Sequence, residues 1–305
     1  LALASTLGDG ADFCAKDYLA SARRGFDHLV EHGLGYLDDG KENIIDDTCA
    51  LLAAVELSAV ASDASLGAAL ESRIASLIER RRNTGDVVWL AVDDAGERSW
   101  FHASDAGLPM ITLLRFADTH AAHPRAEEAR ALAIELTRSQ LALGASRNNP
   151  FAYPPHWVKV PGTDGRFQWF YPHENPSGYW WQGENARLAS LASAALGAAA
   201  AGDGAELRDA AGRWISWILG ANPFDRCMLH GRGRNNPVYM PPYDNAPGGV
   251  CNGITSGFTD ENDIAFAPDR QAADPLQNWR WGEQWLPHGA WLLHALALRE
   301  TGGMA

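Results

Sequence analysis

Glu283 stands in "NWRWGEQWLPHGAWLLHALAL" (Asn278 to Leu298), with Trp279, Trp281 and Trp285 around it and Pro287 just beyond. Proline favours the first turn of a helix, so this carboxyl sits at a helix entrance. Indole surfaces displace water and favour the neutral acid, whereas a helix N-terminus favours the anion. Where desolvation prevails, Glu283 is a proton donor at neutral pH. A protonated carboxyl beside flat aromatic faces is the arrangement that acid-catalysed glycoside cleavage needs. The plainer reading, a solvated surface glutamate, fits poorly with such neighbours.

Two more polar clusters each lead into an apolar run. "ENIIDD" ends in Asp46 and Asp47, and "PSGYWWQGEN" carries Trp180, Trp181 and Glu184. Asp46, Asp47 and Glu184 are candidates to bond sugar hydroxyls or to pair with the ammonium of an amino sugar. Trp180, Trp181 and Trp281 are candidates to stack on sugar rings. The plain alternatives are an N-cap for one of the aspartates, a helix-dipole role for Glu184, and core packing for one of the paired tryptophans. His102, His156 and His173 lie in loops, where they bind hydroxyls or serve no ligand.

The elements that must position these residues are helical. Apolar periodicity predicts helices over 11–32, 46–61, 66–82, 106–120, 125–143, 184–201, 204–219 and 286–300, with a remnant at 1–7. "DVVWLAV" (Asp86 to Val92) is the one clear strand pattern, part of a short hairpin. Helices 66–82 and 125–143 have a charged face. Helices 46–61, 184–201 and 286–300 are apolar or small nearly all round, as helices buried on every side are. Inner and outer helices alternating along a chain predict stacked αα-hairpins closing as an (α/α)6 toroid, incomplete in this chain. In such a ring the inner helices run parallel, their N-termini open on one face, and the three clusters converge on one cleft. The long loops 144–183 and 220–285, rich in Gly, Pro and aromatics, fit a functional rim. The 12 tryptophans outnumber both the 7 tyrosines and the 10 phenylalanines, more than core packing demands.

Composition narrows the function further. A chain of 305 residues, 46% hydrophobic, can build one large domain, read here as a single catalytic domain over 1–305. The net charge of −13, without a basic run, excludes a nucleic-acid partner. No apolar run is long enough to span a membrane. Cys14, Cys49, Cys227 and Cys251 form no C-x-x-C pair, which argues against zinc; Cys227 and Cys251 are read as free buried thiols rather than a disulfide. "GFTDENDIAFAPD" (Gly257 to Asp269) offers Asp260, Glu261, Asp263 and Asp269 as possible ligands for a structural calcium ion, with solvated acids the alternative. No other cofactor is expected.

Three stretches, in order along the chain, resemble glycoside hydrolase family nine. "WILGANPFDRCMLHGRGRNNP" (Trp217 to Pro237) is similar to its V-L-G-x-N-P segment. "DDTCALLAAVELSAVASD" (Asp46 to Asp63) is similar to its D-E-L-x-W-A-A-A helix, and "WGEQWLPHGAWLLHALA" to its last helix, which opens on a catalytic glutamate. The resemblance implies an (α/α)6 barrel, an inverting mechanism with Glu283 as general acid, a β-1,4-linked glucan or glucosamine-containing substrate, and a secreted or periplasmic enzyme. The chain departs from the family twice. It has no D-A-G-D run for the general base; "SDAGLP" (Ser104 to Pro109) lacks the second aspartate and reads as a helix cap. This predicts that the chain is the C-terminal two-thirds of a catalytic domain. It also has no H-H-R substrate motif, for which His230, Arg232 and Arg234 are the nearby alternatives. Two other functions compete: a carbohydrate-binding barrel without catalysis, and an isoprenoid cyclase. The cyclase needs a D-D-x-x-D magnesium motif, whose last position is here occupied by Ala50.

Overall fold

The computed structural model describes residues 1–302 apart from positions 3, 11, 62, 103, 171, 173, 175–182, 203, 239–243, 258 and 267–278. The expected all-α class holds. Helices run over Ala15–His32 (α1), Ile44–Val60 (α2), Ala64–Glu79 (α3), Leu108–Thr119 (α4), Ala126–Ala145 (α5), Glu184–Ala200 (α6), Ala205–Ile218 (α7), Trp279–Gly282 (α8) and Leu286–Glu300 (α9), with 3-10 turns at Ala4–Leu7 and Gly33–Tyr36. Every helix foreseen by periodicity is present, and the short α8 is the addition. The third helix stops at Glu79 because Arg81–Thr84 (β1) turns into a hairpin with Val87–Leu90 (β2). Gly85, at φ +56°, makes that turn.

Contacts divide the chain into two compact units where the sequence reading expects one domain. The first comprises 1–82, 90–96 and 112–132; the second comprises 83–89, 97–111 and 133–305. In the first, α2 packs on α1 and on α3. Local side chains start both α2 and α3. Asn43 caps α2 by accepting from the N–H of Ile45, and Asp46 reaches back to the N–H of Asn43 at 2.8 Å. Asp63 accepts from the N–H groups of Ser65 and Leu66 to cap α3. The buried stripe of α3 is Leu66, Leu70, Ile74, Leu77 and Ile78, the spacing of one helix face.

In the second unit α6 is the central rod, packed on α7 and α9. Fifteen of its seventeen residues are buried, as its small, apolar sequence requires. The other two helices read as buried on all sides are not. Helix α2 leaves Ile45 and Cys49 exposed. Helix α9 buries only His288, Leu292, Ala295 and Leu298, while Leu286 is 90% and Leu293 70% exposed. Apolar composition permits burial but does not supply the neighbour that covers the face. The loop 144–183 contains a second hairpin, His156–Val158 (β3) antiparallel to Arg166–Gln168 (β4), with His156 opposite Gln168. Three-residue strands are too short to leave an alternating pattern. All four cysteines are free, Cys227 and Cys251 buried. No helix among the described residues is long and apolar enough to cross a membrane.

Gly107, just before α4, lies against the α6 backbone: its N–H donates to Ser190 Oγ at 3.1 Å, and a Cβ there would collide with the Ser190 carbonyl. Gly67 in α3 faces open space. Gly107→Ala should therefore cost about 1–3 kcal/mol, whereas Gly67→Ala should stabilise by up to about 1 kcal/mol. Urea unfolding midpoints of the two variants check the contrast.

Candidate active site

In the first unit, Asp47 is a buried structural anion. Its Oδ1 takes Arg73 Nη1 at 2.9 Å, and its Oδ2 takes Arg80 Nη2 at 2.7 Å and Ser76 Oγ at 2.7 Å. Arg73 also grips Glu42 with both amino groups, at 2.7 and 2.6 Å. Buried at 2% exposure and bonded to Arg73, Ser76 and Arg80, Asp47 is committed to internal partners, which argues against its reading as a sugar contact. Asp46 is half-buried and spends one oxygen on the capping box.

In the second unit, Glu184 is equally committed. Arg187 Nε donates to its Oε2 at 3.0 Å, the Tyr153 hydroxyl donates to the same oxygen, and His156 Nε2 lies 3.3 Å from Oε1. Arg187 in turn donates to the Pro154 carbonyl at 2.6 Å and lies over the Tyr153 ring. All four side chains are buried. Burial alone would raise the Glu184 carboxyl; the Arg187 guanidinium and the bonds from His156 and Tyr153 outweigh it and hold the group at about 2. Burial, then the Arg187 charge, pushes His156 down, so His156 serves as a neutral donor. Glu184 is thus an internal anion rather than a hydroxyl ligand. The spacing Glu184-x-x-Arg187 on an otherwise apolar helix was the available signal for this pair. His156, taken at first as a loop residue, belongs to β3 and to this network.

Glu283 lies half-buried between α8 and α9. Its N–H donates to the Trp279 carbonyl at 3.2 Å, and its carbonyl accepts from the N–H of Asn252 at 2.8 Å. Residue Gln284 bridges to Cys251, and Trp285 is the N-cap of α9, followed by Pro287 in its first turn. The two flanking indoles differ. Trp281 is 0% exposed and meets Phe224 and Phe266 edge-on at 4.9 and 5.2 Å. It is core, not a stacking platform, because two rings already take its faces and edges. Trp285 is 38% exposed and stacks on His288, so the exposed indole of this turn is one the sequence reading did not name as a stacking candidate. Trp180, Trp181 and His173 lie outside the described residues.

Within this unit two of the three clusters do meet. The N–H of Asn185, next to Glu184, donates to the Asn252 carbonyl at 2.9 Å, and Asn252 in turn donates to Glu283. The start of α6 and the Glu283 turn therefore flank one segment, 251–253.

The turn after α7 carries the remaining candidates. Asn222, in the stretch "LGANP", is buried and donates to the carbonyls of Trp217 and Arg226 at 2.8 Å each. Asn236 pins the next turn by donating to the carbonyls of Cys227, Leu229 and Arg232. On it, His230 is half-buried, Arg232 is exposed, and Arg234 is exposed and paired with Asp225 at 2.9 Å. Asp105 of "SDAGLP" does not cap α4 with its side chain. Its Oδ1 accepts from Trp291 Nε1 at 2.8 Å and its Oδ2 from Ser104 Oγ at 3.0 Å. His102 stacks on Trp100, and its Nδ1 accepts from the N–H of Asp105 at 3.0 Å.

Three acids of the acidic loop each have a partner of their own. Asp260 accepts from the N–H of Asn262, Asp263 from that of Ala265, and Glu261 from Gln168; Asp269 lies outside the described residues. Among the described residues no three His, Cys, Asp or Glu come together as metal ligands.

No protein-family model matches the chain, and no curated protein matches its sequence. Solved structures match its fold. A metagenome-derived glycoside hydrolase family 9 endoglucanase superposes with a TM-score of 0.56 at 15% identity, over 85% of this chain and 41% of that one. The cellulase Cel9M of C. cellulolyticium, solved in complex with cellobiose, superposes with a TM-score of 0.51 at 16% identity, over 83% of this chain and 50% of that one. The likeness is one of fold, and the chain spans half or less of the length of these two structures.

Two stability predictions follow from the buried groups. Arg187→Met strands the Glu184 anion and should cost about 3–5 kcal/mol, read by chemical unfolding. Burial pushes His288 from 6.5 down to about 4. The unfolded chain then binds a proton that the folded one refuses, so stability falls as pH drops from 6.5 towards 4, by about 3 kcal/mol. Glu184 adds a further loss as pH falls from 4.5 towards 2. In His288→Gln the decline between pH 6.5 and 4 should shrink accordingly.

Proposed function

We propose that the chain belongs to an inverting glycoside hydrolase acting on β-1,4-linked glucan, with Glu283 as general acid. The observation that carries this reading is Glu283 itself: a half-buried residue, fixed by its main chain at the entrance of α9, in a fold shared with an endoglucanase and a cellulase. In the reaction Glu283 gives its proton to the glycosidic oxygen as the C1–O bond breaks. Water attacks C1 from the opposite face and loses a proton to a carboxylate base. Inversion requires the two carboxyl groups about 6.5–9.5 Å apart, leaving room for that water. The resemblance assigns the base to a D-A-G-D run, which these 305 residues do not contain.

A barrel that binds glycan without cleaving it is the second reading. It would hold if the full-length protein carries no D-A-G-D run, which is also missing from these 305 residues. An isoprenoid cyclase is disfavoured, because Asp47 has both oxygens taken by Arg73 and Arg80.

Glu283→Gln in the full-length protein should lower turnover of cello-oligosaccharides by about 100- to 10,000-fold and leave their binding close to that of the parent. NMR of the first products of the parent should show the α-anomer. Unchanged turnover in Glu283→Gln would remove the general-acid assignment. An initial β-anomer would remove inversion. Cleavage of chito-oligosaccharides in place of cello-oligosaccharides would move the substrate to amino sugars.

A further inference from the structure

Glu283 is located by its neighbours' backbones, and those are located in turn by one buried pair of side chains. The segment 251–253 and the turn 281–284 are zipped together: Asn252 N–H donates to Glu283 O at 2.8 Å, and Gly253 N–H to Trp281 O at 3.0 Å. What fixes the segment is the side chain of Asn252. Its Nδ2 donates to the Trp279 carbonyl at 2.9 Å, the same carbonyl that accepts the N–H of Glu283. Its Oδ1 accepts from His288 Nε2 at 2.6 Å. His288, in the first turn of α9, accepts on Nδ1 from the N–H of Ala186 at 3.0 Å, in the first turn of α6.

These partners leave one protonation pattern. A backbone N–H can only donate, so Nδ1 of His288 bears the lone pair and Nε2 the proton. Asn252 must then turn its oxygen towards His288 and its amide towards Trp279. His288 and Asn252 are both 0% exposed, and burial keeps the imidazole neutral, with its pKa down at about 4. One imidazole and one amide thus tie the starts of α6 and α9 to the peptide groups on both sides of Glu283. Gly253 completes the close fit: at φ +99° it packs against the Asn185 side chain, where a Cβ has no room.

We infer that His288 and Asn252 are positioning residues that set the reach of the Glu283 carboxyl towards the glycosidic oxygen, an inference that rests on the reading of Glu283 as the proton donor. A general acid works only within hydrogen-bond reach of its target. A misplacement of about 1 Å costs on the order of 100-fold in rate. Loosening either side chain frees the Asn252 peptide and, with it, the peptide of Glu283.

The test separates proton donation from folding. Full-length His288→Gln, Asn252→Asp and Glu283→Gln are each assayed on cellotetraose, whose leaving group needs a proton, and on 2,4-dinitrophenyl β-cellobioside, whose leaving group departs without one. His288→Gln and Asn252→Asp should lower kcat on cellotetraose by about 100-fold, with KM nearly unchanged, while kcat on the aryl glycoside stays near that of the parent. Should His288→Gln not fold, Asn252→Ala, which removes the side-chain amide and adds no polar group, carries the same comparison. Equal losses on both substrates, or no loss on either, with Glu283→Gln still selectively impaired on cellotetraose, overturn the positioning role and leave the proton donor standing. A Glu283→Gln variant without that selective impairment overturns the proton-donor reading and the positioning role together.

Discussion

Helix α6 begins inside the protein, and this one constraint organises the second unit. The first N–H groups of any helix lack partners within it, and at a surface water supplies them. Helices α2 and α3 meet the need locally, with Asn43 and Asp63 as caps. The N-cap of α6 is Gly183, at φ +110°, which has no side chain to offer. Its buried donors find partners from far along the chain as well: Asn185 the Asn252 carbonyl, and Ala186, which is shared with the Gly183 carbonyl, the His288 ring. Satisfying two backbone amides brings the segment 251–253 and the start of α9 to the same point, and Glu283 arrives with them. The Glu184–Arg187 pair serves the same helix turn, since a buried carboxylate there is tolerable only with a cation beside it.

The helical framework was legible in the sequence because apolar spacing is local. The predicted span 286–300 coincides with α9, and 184–201 differs from α6 by one residue. The roles of the charged residues were not legible, because their partners are remote in the chain. Asp47 beside Asp46 reads as a pair open to ligands; only the fold brings Arg80 to it across 33 residues. Glu184 looks like a ligand contact until Tyr153 and His156 fold over it from the β3 hairpin region. Trp281 and Trp285 are four residues apart and chemically identical, yet one is core and the other is 38% exposed. The bend between α8 and α9 sends them different ways, and no periodicity encodes a bend in so short a stretch.

The "LGANP" stretch shows a motif whose chemistry is architectural. Gly220, at φ +123°, lets the chain leave α7. Asn222 then binds carbonyls on both sides of the turn and accepts from the N–H groups of Phe224 and Arg226. One buried amide side chain thus pins a turn whose other residues are exposed or half-buried. Phe224, so placed, forms one wall around Trp281. The stretch contributes to the Glu283 region by holding up the indole beneath it.

The four thiols carry a practical meaning of their own. With Cys227 and Cys251 free and buried, no covalent staple links any of the cysteines to another. The fold is then indifferent to glutathione or dithiothreitol, and its persistence rests on packing and buried polar pairs alone. Burial also drives the Cys251 thiol up to about 12, so at neutral pH it holds almost no reactive thiolate. Cys49 stands on the exposed side of α2. The buried sulfur thereby serves as a clock: a maleimide reaches Cys251 only as often as the wall around it breathes open.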